Sequence, residues 1–205
     1  MRFYIGSLLF AMYFTLPCQG TPTTRPVEPE KIAMAKQLLE GEQPLFLFRA
    51  IYSSRILIGE NEFVCWNSTK STKKEAPPPG ILHEITYYDV TKPGSAVKND
   101  KLAVWTLHQD MMVSLQTTHR KRNPTIPGDW WLEEAEENCM VLGMHVNDRN
   151  GANAMCLYWI TSSTSKLPSR KCDKGYQNKC LKSGLKKYDW SNMCDENNEP
   201  RNKRK

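Results

Sequence analysis

The 205-residue chain has only four histidines, His83, His108, His119 and His145, and none lies four residues from another. The paired-imidazole spacing of a helical metal site is therefore missing. Its seven cysteines include no Cys-x-x-Cys pair, and neither Gly-x-Ser-x-Gly nor a phosphate-cradling glycine loop occurs. The common signatures of zinc ribbons, thiol redox centres, hydrolase elbows and nucleotide sites are thereby absent. A Ser/His/Asp arrangement assembled from distant positions stays open in principle, but nothing singles out a nucleophile. Beyond the N-terminus no run of about 18 apolar residues exists, so no membrane span is expected. These gaps predict a binding protein rather than an enzyme, with no cofactor and no metal.

What is present begins with a leader. Met1-Arg2 supplies a positive start, Tyr4 to Leu16 is almost wholly apolar, and Cys18-Gln19-Gly20 offers small residues for cleavage. Residues 1–20 are expected to be a secretory signal peptide, with the mature chain beginning near Thr21. Secretion places the chain in an oxidising compartment, where the remaining six cysteines read as a disulfide framework. Six cysteines allow about 15 pairings, and arithmetic alone does not choose among them. Asn67-Ser68-Thr69 is a permitted N-glycosylation acceptor, whereas Asn123-Pro124-Thr125 is blocked by its proline. With 40 % hydrophobic and 24 % charged residues the chain is too apolar to be disordered. Its charge is uneven: Lys166 to Lys205 carries 12 basic and 5 acidic residues, against +6 for the whole chain. The basic character thus belongs to the C-terminal part, which suits contact with heparin-like polyanions or a cell surface. Residues 197–205 are read as a solvated, frayed end.

Glu28-Pro29-Glu30 opens a helix, Ile32, Ala35, Leu38 and Leu39 recur at helical spacing, and Gly41 stops the run. After Pro44 the texture changes to short segments rich in β-branched and aromatic residues. These are Leu45–Tyr52, Asn61–Ser68, Ile81–Val90, Lys101–His108, Met111–Thr118, Asn138–Val146 and Ala154–Ser162, with Trp130–Leu132 as an eighth. Turn signals separate them, among them Pro77-Pro78-Pro79-Gly80, Lys92-Pro93-Gly94, Lys98-Asn99-Asp100 and Asn147-Asp148-Arg149-Asn150-Gly151. A last helix is expected over Asp173–Ser183. Glu133, Glu134, Glu136 and Glu137 could be taken for paired acid–base carboxylates but read better as a solvated loop before Cys139. Eight antiparallel strands flanked by two helices predict a single closed barrel or a sandwich, and such a barrel can hold one small ligand. The expected organisation is leader 1–20, N-terminal segment 21–43, barrel with C-terminal helix 44–194 and basic tail 195–205.

Several short motifs resemble the secreted salivary lipocalins of ticks, the histamine-binding proteins. Asn61-Glu62-Phe63-Val64-Cys65 is similar to that family's acidic-Phe-x-Cys strand, and Glu137-Asn138-Cys139-Met140-Val141 to its Asn-Cys strand. Cys156-Leu157-Tyr158-Trp159 resembles the following Leu-Trp strand. The segment Leu167 to Cys172 resembles the family's entry to the last helix, and Asn192-Met193-Cys194 its terminal cysteine. The resemblance implies a mainly β, eight-stranded lipocalin (calycin) barrel, with Cys65 paired to Cys194, Cys139 to Cys172, and Cys156 to Cys180. It also implies a monomer secreted in saliva that sequesters a small host mediator to evade host defence, without binding nucleic acid.

Amine-binding members resemble one another in placing Cys-Asp-aliphatic on one strand and Glu-Leu-Trp or Glu-Leu-Tyr on the next. A buried carboxylate there would partner a protonated amine, since an unpaired buried ion is very costly. Here Met140 stands at the Asp, and the Glu falls on Cys156 or Leu157 according to the register chosen. A cysteine bonded to a helix outside the barrel should point outward, which puts Leu157 and Trp159 inside. The expected chamber then presents Met140, Leu142, Met144, Leu157 and Trp159, together with Trp66 and Trp105. Met and Trp linings suit apolar or aromatic ligands such as an eicosanoid. Glu84, Asp129 and Glu133 are the candidate replacement acids for an amine such as histamine or serotonin. The alternative is a lipocalin that engages a host immune or haemostatic protein through its loops and basic tail.

Overall fold

The computed structural model describes residues 26–52, 63–72, 80–92, 94–117, 128–144, 155–161, 169–180 and 186–201. The expected leader, most of the long turn signals, His119 and His145 lie outside the described residues. Helix α1 (Pro29–Glu40) is followed by strands β1 (Leu45–Tyr52), β2 (Phe63–Lys70), β3 (Gly80–Asp89), β4 (Val97–Leu107) and β5 (Met112–Thr117). Then come β6 (Asp129–Glu136), β7 (Cys139–Met144), β8 (Met155–Thr161), α2 (Arg170–Cys180), β9 (Lys186–Asp189) and the short α3 (Trp190–Met193). Neighbours in sequence pair antiparallel from β2 through β8. The strand β1 pairs with both β8 and β2, which closes an eight-stranded barrel and leaves β9 outside on β1.

Alternation along each strand sorts the side chains onto two faces. The cross-strand pairs Met140↔Trp159 and Leu142↔Leu157 point inward, and Val141↔Tyr158 and Gly143↔Cys156 point outward. The inner set forms one core with Leu47, Trp66, Tyr87, Trp105, Leu115, Trp130 and Leu132. Four of its tryptophans, Trp66, Trp105, Trp130 and Trp159, are at most 1 % exposed. At roughly 25 cal/mol per Å² and ~200 Å² a ring, each contributes up to about 5 kcal/mol. The α1 face carrying Ala35, Leu38 and Leu39 joins this core and closes the end of the barrel where β1 begins and β2 ends.

A second, smaller core lies outside the wall, where α2 covers β7 and β8. Cys139–Cys172 and Cys156–Cys180 pin that helix to one strand each, and Cys65–Cys194 ties β2 to the residue after α3. All three pairings implied by the family resemblance are thus present.

Four sequence readings differ from the structure, the first at the expected frayed end, where Asn198 is buried because its amide bridges the Trp190 N–H and the Cys65 carbonyl. Lys98-Asn99-Asp100 is not a turn: it belongs to β4, because the chain reverses earlier, at Gly94 with φ +77°, and β4 then pairs with β3 as far as Val97↔Asp89. Glu133, Glu134 and Glu136 are not loop residues but the second half of β6, where lysines from both helices meet the outer face. Lys31 Nζ lies 3.4 Å from Glu134 Oε2, and Lys171 Nζ lies 2.7 Å from Glu136 Oε1. The last helix starts three residues early because Ser169, not Asp173, caps it: the Ser169 hydroxyl accepts from Lys171 N–H at 3.2 Å.

Candidate functional site

The inner face of β7 and β8 brings together most of the residues named from sequence. Met140 and Trp159 face each other across one pair, Leu142 and Leu157 across the next, and Met144 and Met155 across the one after. Trp105 reaches them from β4 and meets Trp159 edge to face, ring centroids 5.9 Å apart. Trp66 stands on the far side of the barrel, stacked on Tyr87 at 4.4 Å. Cys156 points outward to α2, so Leu157, not Cys156, occupies the inward position.

Two of the replacement acids, Glu84 and Asp129, do not join this set. Glu84 is exposed on the outer face of β3, between the inward-facing His83 and Ile85. Asp129, exposed at the start of β6, accepts from Ser114 Oγ at 2.7 Å, and Ser114 contacts His108 Nε2 at 2.8 Å. All three lie on the outside of the wall. Glu133 is the extra residue of a bulge between the inward-facing Leu132 and Ala135. It is buried and already engaged within the protein, and its carbonyl accepts from Lys31 Nζ at 3.2 Å.

Two polar groups inside the barrel were missed from sequence. His83, 1 % exposed, sits between Ser68 and the end of α1. Its Nε2 is 2.8 Å from the Leu39 carbonyl, which can only accept, so the proton is on Nε2 and Nδ1 accepts from Ser68 Oγ at 2.9 Å. Trp105 Nε1 in turn donates to Ser68 Oγ at 3.1 Å. The result is a directed chain from Trp105 through Ser68 and His83 to Leu39, with every member satisfied. Burial holds the His83 pKa down to about 4, so the ring is neutral near pH 7. Lys101 is the other: its register partner Ile85 points inward, and its ammonium stands 5.5 Å above the Tyr87 ring toward the other end of the barrel. Desolvation lowers its pKa. The alternation Ile81, His83, Ile85, Tyr87 carried the signal for His83, which a count of scattered histidines overlooks.

The Trp159 N–H is different: although wholly buried, it has no partner among the described residues. An unsatisfied buried donor costs ~1–3 kcal/mol, so a site that keeps one departs from the pairing found nearly everywhere else in a core. Outside the barrel, a concavity of about 570 Å³ lies between α1, β6 and α2. It is lined by Glu28, Lys31, Glu134, Glu136 and Lys171, whose charges are paired with one another. Among the described residues no cluster of His, Cys, Asp and Glu could hold a metal ion.

Comparison with known proteins finds the fold and little else. No protein-family model matches the chain, and no curated protein sequence is similar to it. Among solved structures, Japanin from Rhipicephalus appendiculatus, in a form bound to cholesterol, superposes with a TM-score of 0.55 at 13 % identity. That match covers 68 % of this chain and 88 % of Japanin. Lobster apocrustacyanin A1 gives a TM-score of 0.43 at 11 % identity, over 78 % of this chain and 86 % of that one. Apocrustacyanin C2 gives 0.43 at 12 %, over 75 % and 81 %. The architecture is that of a lipocalin.

Proposed function

We propose that this chain is a secreted carrier that encloses one small, mainly apolar molecule in its barrel and, by sequestering a host mediator, serves evasion of host defence. The observation that carries the reading is the inner face itself: Met140, Leu142, Leu157, Trp159 and Trp105 converge there, while Glu84 and Asp129 stand exposed on the outer side and Glu133 is already engaged within the protein. A lipid mediator such as an eicosanoid suits that lining better than histamine or serotonin, because an ammonium moved among these residues would lack an opposite charge. The cholesterol bound to Japanin is a property of that protein, but it supports an apolar guest for a barrel of this shape. Extracellular residence is supported by the three disulfides. Asn67 faces outward, paired in register with Phe46 and Thr86, and suits a glycan acceptor in such a protein.

Native mass spectrometry of protein secreted from eukaryotic cells tests the reading. A copurifying apolar ligand is expected, and Met140→Asp, which buries a carboxylate in the lining, should expel it. An unchanged ligand load in that variant would remove the pocket assignment. Calorimetry with histamine should show no binding at micromolar concentration, and tight binding would restore the amine reading.

A further inference from the structure

Two indole N–H groups meet inside the barrel, and they differ in what they pair with. Trp105, Ser68, His83 and the Leu39 carbonyl satisfy one another in a closed chain. Trp159 stands outside that chain. Its indole meets Trp105 edge to face, so the two rings share one environment, yet only the Trp105 N–H has an acceptor. In register, Trp159 is flanked by Leu47 on β1 and Met140 on β7, neither of which has a side-chain oxygen. The other two buried polar atoms without a hydrogen-bond partner among the described residues are elsewhere. Tyr158 Oη lies on the outer face beneath α2, and Asn138 Oδ1 lies in the β6–β7 turn, so neither addresses the chamber.

We propose that the Trp159 N–H is the polar contact of the ligand site, donating to a neutral oxygen, a carbonyl or hydroxyl, of an otherwise apolar guest. The inference rests on the carrier reading above and adds the chemistry of the guest to it. A donor without an acceptor selects by complementarity. A ketone or alcohol oxygen pairs it, a pure hydrocarbon leaves it unpaired, and a protonated amine brings more donors and a charge with no counter-ion. A site built to pair a buried polar group discriminates strongly against a molecule that lacks the matching one.

Four ten-carbon probes separate these cases: 2-decanone, 1-decanol, n-decane and n-decylamine, titrated against the delipidated full-length secreted protein. Wild-type protein is expected to bind 2-decanone and 1-decanol about tenfold more tightly than n-decane, which corresponds to about 1.4 kcal/mol, and n-decylamine most weakly. Trp159→Phe keeps an aromatic ring but removes the N–H, and should erase the tenfold preference, so that 2-decanone, 1-decanol and n-decane bind alike whatever their common affinity becomes. In wild-type protein the Trp159 indole N–H proton should move downfield with 2-decanone and stay in place with n-decane. This second measurement does not depend on how the variant folds. Equal binding of 2-decanone and n-decane, or a preference retained in Trp159→Phe, would overturn the inference and leave the carrier reading intact. Failure of all four probes to bind would overturn both.

Discussion

Strand β1 is held on its two edges by different means. Against β8 it makes six register pairs, Leu45↔Thr161 to Ile51↔Cys156, and β8 makes six more with β7. Against β2 it makes two, Leu45↔Ser68 and Phe46↔Asn67, both at the closed end. Beyond them β2 bulges at Cys65, whose φ of +57° is unusual for a residue with a side chain, and the strands part. The C-terminal segment fills the gap. The strand β9 takes over the free half of β1, from Arg49↔Asp189 to Tyr52↔Lys186. The Cys65 N–H donates to Tyr188 Oη at 3.0 Å, its carbonyl accepts from Asn198 Nδ2 at 2.8 Å, and its sulfur is bonded to Cys194. One edge is closed by a six-pair ladder with a single bulge at Phe48 and the other by a patch contributed from the far end of the chain. A barrel can therefore have an ordinary inner face and still depend for closure on residues more than a hundred positions away.

The largest expected difference between the two edges comes from the disulfides. In the chain-entropy model, removing Cys65–Cys194, with a separation of 129, costs about 5 kcal/mol. Cys139–Cys172 at 33 and Cys156–Cys180 at 24 cost about 4 and about 3.5 kcal/mol. Paired Cys→Ala variants compared by denaturant midpoint should follow that order. Only Cys65→Ala with Cys194→Ala should also expose residues 186–201 to protease in the native state, because α2 has its own core to hold it. Equal losses for all three, or a protected C-terminal segment, would show that the patch does not close the seam.

The next effect concerns the two pairs that the weak edge keeps. Ser68, in one of them, is a link of the His83 chain. The folded-state pKa of His83, about 4, lies below its ordinary value of 6.5, so the unfolded chain binds the extra proton first. The stability this neutral ring contributes is complete above pH 6.5 and is lost as pH falls toward 4, about 3 kcal/mol in all. His83→Gln should flatten the slope of stability against pH in that window. A slope unchanged in the variant would assign the acid sensitivity elsewhere.

Tyr188→Phe comes third. It removes the acceptor of a buried N–H without changing the ring and should cost ~1–3 kcal/mol. Tyr158→Phe, on the strong edge, removes a hydroxyl that interacts with the Asp173 carboxylate but meets hydrogen-bond geometry with no described residue, and should cost less. Thermal melts of the two variants side by side test the contrast.

How much of this was legible in the sequence follows the same division. The inner face of β7 and β8 could be read, because alternation survives wherever strands pair continuously, and the outward Cys156 fixed the register. The weak edge could not. Its C-terminal segment is polar at Asn197, Asn198, Glu199 and Arg201, which favours a solvated reading, yet Asn198 is 5 % exposed and accepts from Trp190 Nε1 at 2.8 Å. Its burial follows from a bulge at Cys65 that periodicity does not reveal. The acids of β6 were misread for a related reason: their charges are met by Lys31 and Lys171 from helices far away in sequence, and a local pattern shows only the charges.

The smallest effect belongs to the residue that touches both edges. From β1, Arg49 reaches Asp173 on α2 at 3.5 Å and Asp189 on β9 at 3.8 Å, with its guanidinium 4.6 Å from the Phe48 ring centroid. Each of the three charged side chains is about one-third exposed, so solvent screens the pairs and together they are worth about 0.5 kcal/mol. Arg49→Met keeps most of the apolar stem and should cost only that, with the difference from wild type vanishing in 1 M salt. Arg49→Ala also strips the packing over Phe48 and should cost more, by an amount that salt does not change. If Arg49→Met instead loses several kcal/mol at every ionic strength, the two edges are coupled through this guanidinium. The seam would then not be an independent patch but one side of a single clamp.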